Sequence, residues 1–166
     1  MKRLEFIFLV LVSIPLFSCS QNKNNLKFDE KEYVFFKKGA DLDYPNYPYV
    51  IILKSKSDSD LIFKKVFLDS NYTQLLSKTF FYKKIPEGPF YIYANGQISR
   101  QGTYKKGQWD GERITYQGGK IVQKANFKNG IKVGVWEEYN TKGELIKKTE
   151  YDNAGNLVSE KKVESN

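Results

Sequence analysis

Hydrophobic and polar positions divide the chain into three regimes. Phe6 to Phe17 is an apolar run broken only by Ser13 and Pro15, preceded by the basic pair Lys2–Arg3. A membrane-spanning helix needs ~20 apolar residues, so this run predicts the core of a removable leader, residues 1–18. A polar, aperiodic stretch, residues 19–25, reads as a tether. From Leu26 to Pro86 the pattern is mixed. Tyr33–Phe36, Tyr49–Lys54 and Phe80–Tyr82 have the aromatic and β-branched content of strands. Gly39 to Pro48 is rich in Gly, Pro, Asp and Asn and reads as a loop. Ser57 to Asp60 offers helix-capping side chains, and Ile62, Phe63, Val66 and Phe67 then fall on one helical face. A helix over residues 60–68 is therefore expected there, with a strand as the alternative.

Beyond Pro86 the pattern repeats. Gly88, Gly111 and Gly134 are 23 residues apart, as are Tyr93, Tyr116 and Tyr139. Ile98, Ile121 and Leu145 form a third column, and Tyr104, Phe127 and Tyr151 a fourth. Gly96, Gly119 and Gly143 and then Gly107, Gly130 and Gly155 mark two turns per unit. Turn pairs such as Asn95–Gly96, Gly118–Gly119 and Asn129–Gly130 favour tight hairpins, because both central residues of a type I′ turn need positive φ. The fold expected is mainly β: an antiparallel meander of hairpin repeats, with a small N-terminal α+β or β cap. The divisions are a cap over 26–86, repeats over 87–109, 110–133 and 134–158, and a fraying polar tail over 159–166.

Alternation predicts which side is dry. Ile98, Arg100, Gly102 and Tyr104 share one face of a strand, and Ile121, Gln123, Ala125 and Phe127 and then Leu145, Lys147, Thr149 and Tyr151 repeat it. The small residue in each set leaves room for a large neighbour, for which the Tyr of the preceding strand is the candidate. The Tyr column is thereby assigned to the core. Phe90 and Trp136 stand in a column opposite it. With Tyr91 and Ile114 they are the candidate binding strip on the second face, suited to a protein, a glycan or a lipid headgroup.

Composition narrows the chemistry. Among 166 residues there are 12 Tyr, 12 Phe and 12 Gly, a single cysteine and no histidine. A histidine base, a Cys/His zinc cluster and an intrachain disulfide are thereby excluded from the chain. The net charge of +8 is spread along the sequence rather than clustered, which fits solvated strand faces and argues against a nucleic-acid partner. Asp110, Glu112, Glu137 and Glu138 lie near repeat starts, but their spacing selects no acid–base pair over a wet surface. No phosphate loop or metal motif is present. A non-enzymatic protein without cofactor or metal is expected.

Two resemblances add to this. Leu16-Phe17-Ser18-Cys19 is similar to the lipobox of bacterial lipoproteins, with Phe17 bulkier than the usual small residue. It implies cleavage before Cys19, lipidation of that residue, and a membrane anchor in the cell envelope. Ser20 in place of an Asp implies the outer membrane, with the periplasmic or surface side open. The pattern Gly88-Pro89-Phe90 with Tyr93 and Gly96, Gly111 with Tyr116 and Gly119, and Gly134-Val135-Trp136 with Tyr139 and Gly143 resembles the MORN repeat. Its nearest form is the bacterial variant whose members are often named as toxin–antitoxin antitoxins. Arg113 replaces the aromatic in the middle copy. The resemblance implies a β-repeat scaffold. The expected function is a lipid-anchored, non-catalytic envelope protein whose repeat surface binds a protein partner. The alternatives are a module for the membrane surface or envelope glycan, and an immunity-type partner of a toxin.

Overall fold

The computed structural model describes residues 26, 28–39 and 49–163. The leader, the tether with Cys19, and most of the expected loop before Tyr49 lie outside these residues. A 3₁₀ turn (Glu30–Glu32) precedes the first strand. The strands are β1 (Tyr33–Gly39), β2 (Tyr49–Ser55), β3 (Leu61–Phe67), β4 (Leu75–Tyr82), β5 (Ile85–Ala94), β6 (Gln97–Lys105), β7 (Gln108–Trp109), β8 (Gly111–Gln117), β9 (Lys120–Lys128), β10 (Ile131–Lys132), β11 (Gly134–Tyr139), β12 (Leu145–Tyr151) and β13 (Leu157–Lys162). They form one antiparallel sheet that runs in sequence order from β1 to β13, with the short β7 and β10 set aside against β6 and β9. The mainly-β meander of hairpins is thus the fold, and the N-terminal strands continue it.

Turn chemistry sets the hairpins. Asn95–Gly96, Gly118–Gly119 and Asn129–Gly130 all have both residues at positive φ, as do Lys106–Gly107 and Lys83–Lys84. That is the type I′ geometry whose twist matches paired strands. Backbone bonds recur with the repeat: Asp110 N donates to Thr103 O at 3.0 Å and Val133 N to Asn126 O at 3.0 Å. Gly107 N donates to Pro86 O at 2.9 Å and Gly130 N to Trp109 O at 2.8 Å, tying the two turns to the earlier strands β5 and β7.

Two expectations are corrected. Residues 61–67 are a strand, not a helix. Leu61, Phe63, Lys64, Val66 and Phe67 are buried on alternating sides of a strand covered on both faces, and such a strand presents a near-continuous apolar run that mimics a helical face. The tail does not fray from Ser159: Ser159 to Lys162 pair with β12, although every residue of β13 is exposed.

Two cores sit on opposite sides of the sheet. In the N-terminal part Phe63 and Phe80 stack with ring centroids 4.3 Å apart. Tyr33, Leu61, Leu26 and Phe28 close over them. Phe80 shares its face of β4 with Lys78, which lies opposite Tyr91 of β5. In the repeats the dry side is the other one, where Ala125, Phe127 and Trp136 are buried.

Candidate binding face

The dry face of the repeats is built around the small residues. Gly102 lies opposite Phe90, Ala125 opposite Arg113, and Thr149 opposite Trp136. The large neighbour is therefore the Phe90–Arg113–Trp136 column and not the Tyr column. Phe90 is only 3% exposed and Trp136 8%, so neither belongs to an exposed strip. Rings follow one another along this face: Trp109 to Phe127 at 5.0 Å, Phe127 to Trp136 at 5.1 Å and Trp136 to Tyr151 at 5.5 Å. The Trp136 indole N–H donates to Asn126 O at 3.0 Å, satisfying its one polar atom.

Arg113 completes the column instead of breaking it. Its guanidinium lies 4.3 Å from the Trp109 ring centre and 4.7 Å from that of Phe127, and donates to Gln123 Oε1 at 3.3 Å. A planar cation fills a ring-shaped space and gains from both π-faces. Burial, and then the charge of Arg100, lower its pKa.

Phe90 and Tyr93 are three positions apart, so the two side chains leave opposite faces of β5. Tyr93, Tyr116 and Tyr139 accordingly stand on the second face. Each follows a register shift, at Ile92/Tyr93, Thr115/Tyr116 and Glu138/Tyr139, and pairs there with Ile98, Ile121 or Leu145. The bulges bring these aliphatics against the Tyr column. Beside that column runs a second row, in register from strand to strand: Lys78, Tyr91, Gln101, Ile114, Lys124, Glu137 and Lys148.

Of the four residues expected to form the strip, Tyr91 and Ile114 do lie together. They flank Gln101, are half-buried, and line a hollow of about 230 Å³ with Pro89, Thr103 and Glu112. The residues of this face missed by sequence reasoning are Tyr93, Gln101, Tyr116, Lys124 and Tyr139. The i, i+3 spacing of Phe90 and Tyr93 carried the signal that would have found them.

Polar groups organise this face. Gln101 Nε2 donates to the Tyr116 hydroxyl at 2.9 Å. The Tyr139 hydroxyl donates to Glu137 Oε2 at 2.6 Å, and this bond, with lesser help from burial and the Glu137 charge, pushes the phenol up to about 12. At the N-terminal end Glu30 reaches onto the same face, 2.6 Å from Lys78 Nζ and 2.8 Å from Lys65 Nζ. Burial opposes ionisation of Glu30, but the two lysines outweigh it and hold its carboxyl below the usual range. A second hollow, about 360 Å³, is lined by Lys120, Ile121, Lys124, Tyr139, Lys142 and Gly143. Among the described residues no group of three or more His, Cys, Asp or Glu is placed to hold a metal ion, and no helix is long and apolar enough to cross a membrane.

No family model matches the sequence, and no curated protein matches it. Among solved structures, the chain is similar to the pneumococcal O-GlcNAc transferase GtfA, solved in complex with UDP and GlcNAc. The TM-score is 0.41 at 14% identity, over 69% of this chain and 20% of that one. The chain thus spans about a fifth of that protein's length.

Proposed function

We propose that the protein is a non-catalytic, lipid-anchored component of a bacterial cell envelope that binds another protein through the tyrosine-bearing face of its MORN-like repeats. The supporting observation is the contrast between the two faces. One is closed by its own rings. The other presents Tyr91, Tyr93, Ile114, Tyr116 and Tyr139 half-exposed in two ordered rows, with Gln101, Lys124 and Glu137 between them. Tyrosines with fixed polar partners supply large, stiff contact area at little entropic cost, the composition favoured at recognition surfaces. The hollows are shallow and bring no acid–base pair together, which favours docking over catalysis.

Such a face suits a soluble domain held near a bilayer by acyl chains on Cys19. The lipidated protein, extracted from envelope in mild detergent, is expected to co-purify with one stoichiometric protein. A soluble form lacking Cys19 should capture the same protein, and a Tyr91→Ala/Ile114→Ala variant should lose it. If the soluble form instead binds anionic vesicles and is released by high salt, the membrane-surface reading replaces this one.

A further inference from the structure

The repeats allow one position to be compared in three copies. Lys78 with Tyr93, Gln101 with Tyr116, and Lys124 with Tyr139 are each displaced by 23 residues. In the first copy the Lys78 ammonium stands 6.0 Å from the Tyr93 ring centre, and in the third Lys124 stands 6.0 Å from that of Tyr139. The middle copy has no cation, and Gln101 bonds directly to the Tyr116 hydroxyl.

First and third differ in the neighbour of the lysine, Lys65 opposite Lys78 but Ile114 opposite Lys124, and in its acidic partner. In the first, the chain's own N-terminal segment lies across the sheet. Glu30 gives its carboxylate to Lys78 and Lys65, while Phe28 packs edge-on against Phe80 and fills the space a side chain at Gly88 would need. In the third, Lys124 forms no ion pair among the described residues. The column equivalents of Gly88 are open: nothing lies within 4 Å of a Cβ built at Gly111, and only Asn126 Cβ, at 4.0 Å, near one at Gly134. Two more lysines, Lys120 and Lys142, join Lys124 and Tyr139 around the larger hollow. Lys120 spends one donor on Thr141 O at 2.8 Å. Glu137 faces Lys124 and Lys148 across the ladder and accepts from the Tyr139 hydroxyl. Glu112 is also near enough to act on Tyr139. The lysines still outnumber these carboxylates, and three of them ring the hollow.

From this internal comparison we infer that the Lys120–Lys124–Lys142–Tyr139 hollow docks an acidic extended segment of a protein partner, as Lys78 and Lys65 dock the Glu30 segment of the chain itself. The inference rests on the docking-face reading and names the chemistry of its partner. A carboxylate set among several ammonium groups gains charge-assisted hydrogen bonds, and an aromatic residue two positions before it covers the adjoining glycine column.

The probe is a synthetic peptide of residues 26–32, titrated into the soluble chain and followed by amide NMR shifts. Saturable shifts are expected at Ile121, Lys124, Tyr139 and Gly143. A matched peptide with Gln or Asn at its acidic positions should bind about tenfold more weakly, the loss of one charge-assisted hydrogen bond. Lys124→Gln should weaken binding similarly, and Lys124→Arg should retain it. Shifts that are absent from the hollow, or equal for the neutral peptide, overturn the inference. So does displacement of the peptide by inorganic phosphate or phosphatidylglycerol vesicles at comparable concentration, which marks a general anion or membrane patch. Partner capture that is sensitive to Tyr91 and Ile114 but indifferent to Lys124 removes this inference and leaves the docking face standing. Peptide binding without any captured partner does the reverse.

Discussion

A methyl group on Gly102 would lie 2.9 Å from the Phe90 ring. The smallest residue of β6 therefore exists to seat the most buried ring of β5. Gly102→Val is expected to destabilise the fold by about 1–3 kcal/mol, because the ring must move off its place against Tyr104, whose centroid is 4.7 Å away. Combining it with Phe90→Ala should recover part of that loss. Urea denaturation of both single variants and the double variant measures the coupling.

The assignment of faces separates two aromatic columns. Trp136→Ala should cost about 3–5 kcal/mol, because it opens a cavity among Phe127, Tyr151 and Thr149. Tyr116→Ala should cost about 1 kcal/mol, since the ring is half-buried and its hydroxyl accepts one hydrogen bond, from Gln101, among the described residues. Equal losses in thermal unfolding would put both columns in one core and contradict the assignment.

The repeat, its hairpin turns and the small residues on the dry side of β6, β9 and β12 were legible in the sequence; Ile98, Ile121 and Leu145, expected on that side, are turned by the bulges toward the Tyr column instead. Glycine pairs at fixed intervals leave few backbone alternatives, and alternation then sorts the side chains. What misled was the partner of the small residues. Gly102 and Ala125 advertise a large neighbour without naming it, and the Tyr column was as aromatic as Phe90 and Trp136. Counting three residues from Phe90 to Tyr93 would have separated the faces. Arg113 read as a departure because a guanidinium can replace a ring only where two π-faces await it, which no local pattern records. The helical reading of residues 60–68 failed for another reason: a strand covered on both sides loses its alternation. The switch of the dry side between β4 and β6 was hidden because Phe28 and Glu30, which cover the N-terminal core, lie far from it in sequence.

The Glu30 contacts predict an acid-side loss of stability. Its folded pKa is lowered, so the stabilisation is present above the unfolded carboxylate value of about 4.3 and is lost as pH falls through the lower folded value. The pair is partly exposed, so the contribution at neutral pH should be no more than about 1 kcal/mol and should shrink in high salt. Glu30→Gln is expected to remove this increment at pH 7 and to converge with the parent at low pH. Parallel stability curves for the two proteins across the acid range would refute it.

Tyr139 offers a spectroscopic check on the second face. Its hydroxyl bond to Glu137 favours the neutral phenol, so its folded pKa of about 12 exceeds the ordinary value of about 10. Stability from this bond is present below the unfolded value and is lost as pH rises through the folded one. Ultraviolet titration of a Tyr139→Phe difference sample should show one phenolate forming late. Glu137→Gln should shift that titration downward.

The docking claim is tested most directly by a photo-crosslinking residue placed at position 114 in one chain and at position 138 in another. Ile114 lies on the tyrosine face and Glu138 on the face of Trp136, opposite Gln123. The co-purifying partner should be crosslinked from 114 and not from 138. Crosslinking from 138 alone, with the partner still bound, would contradict it.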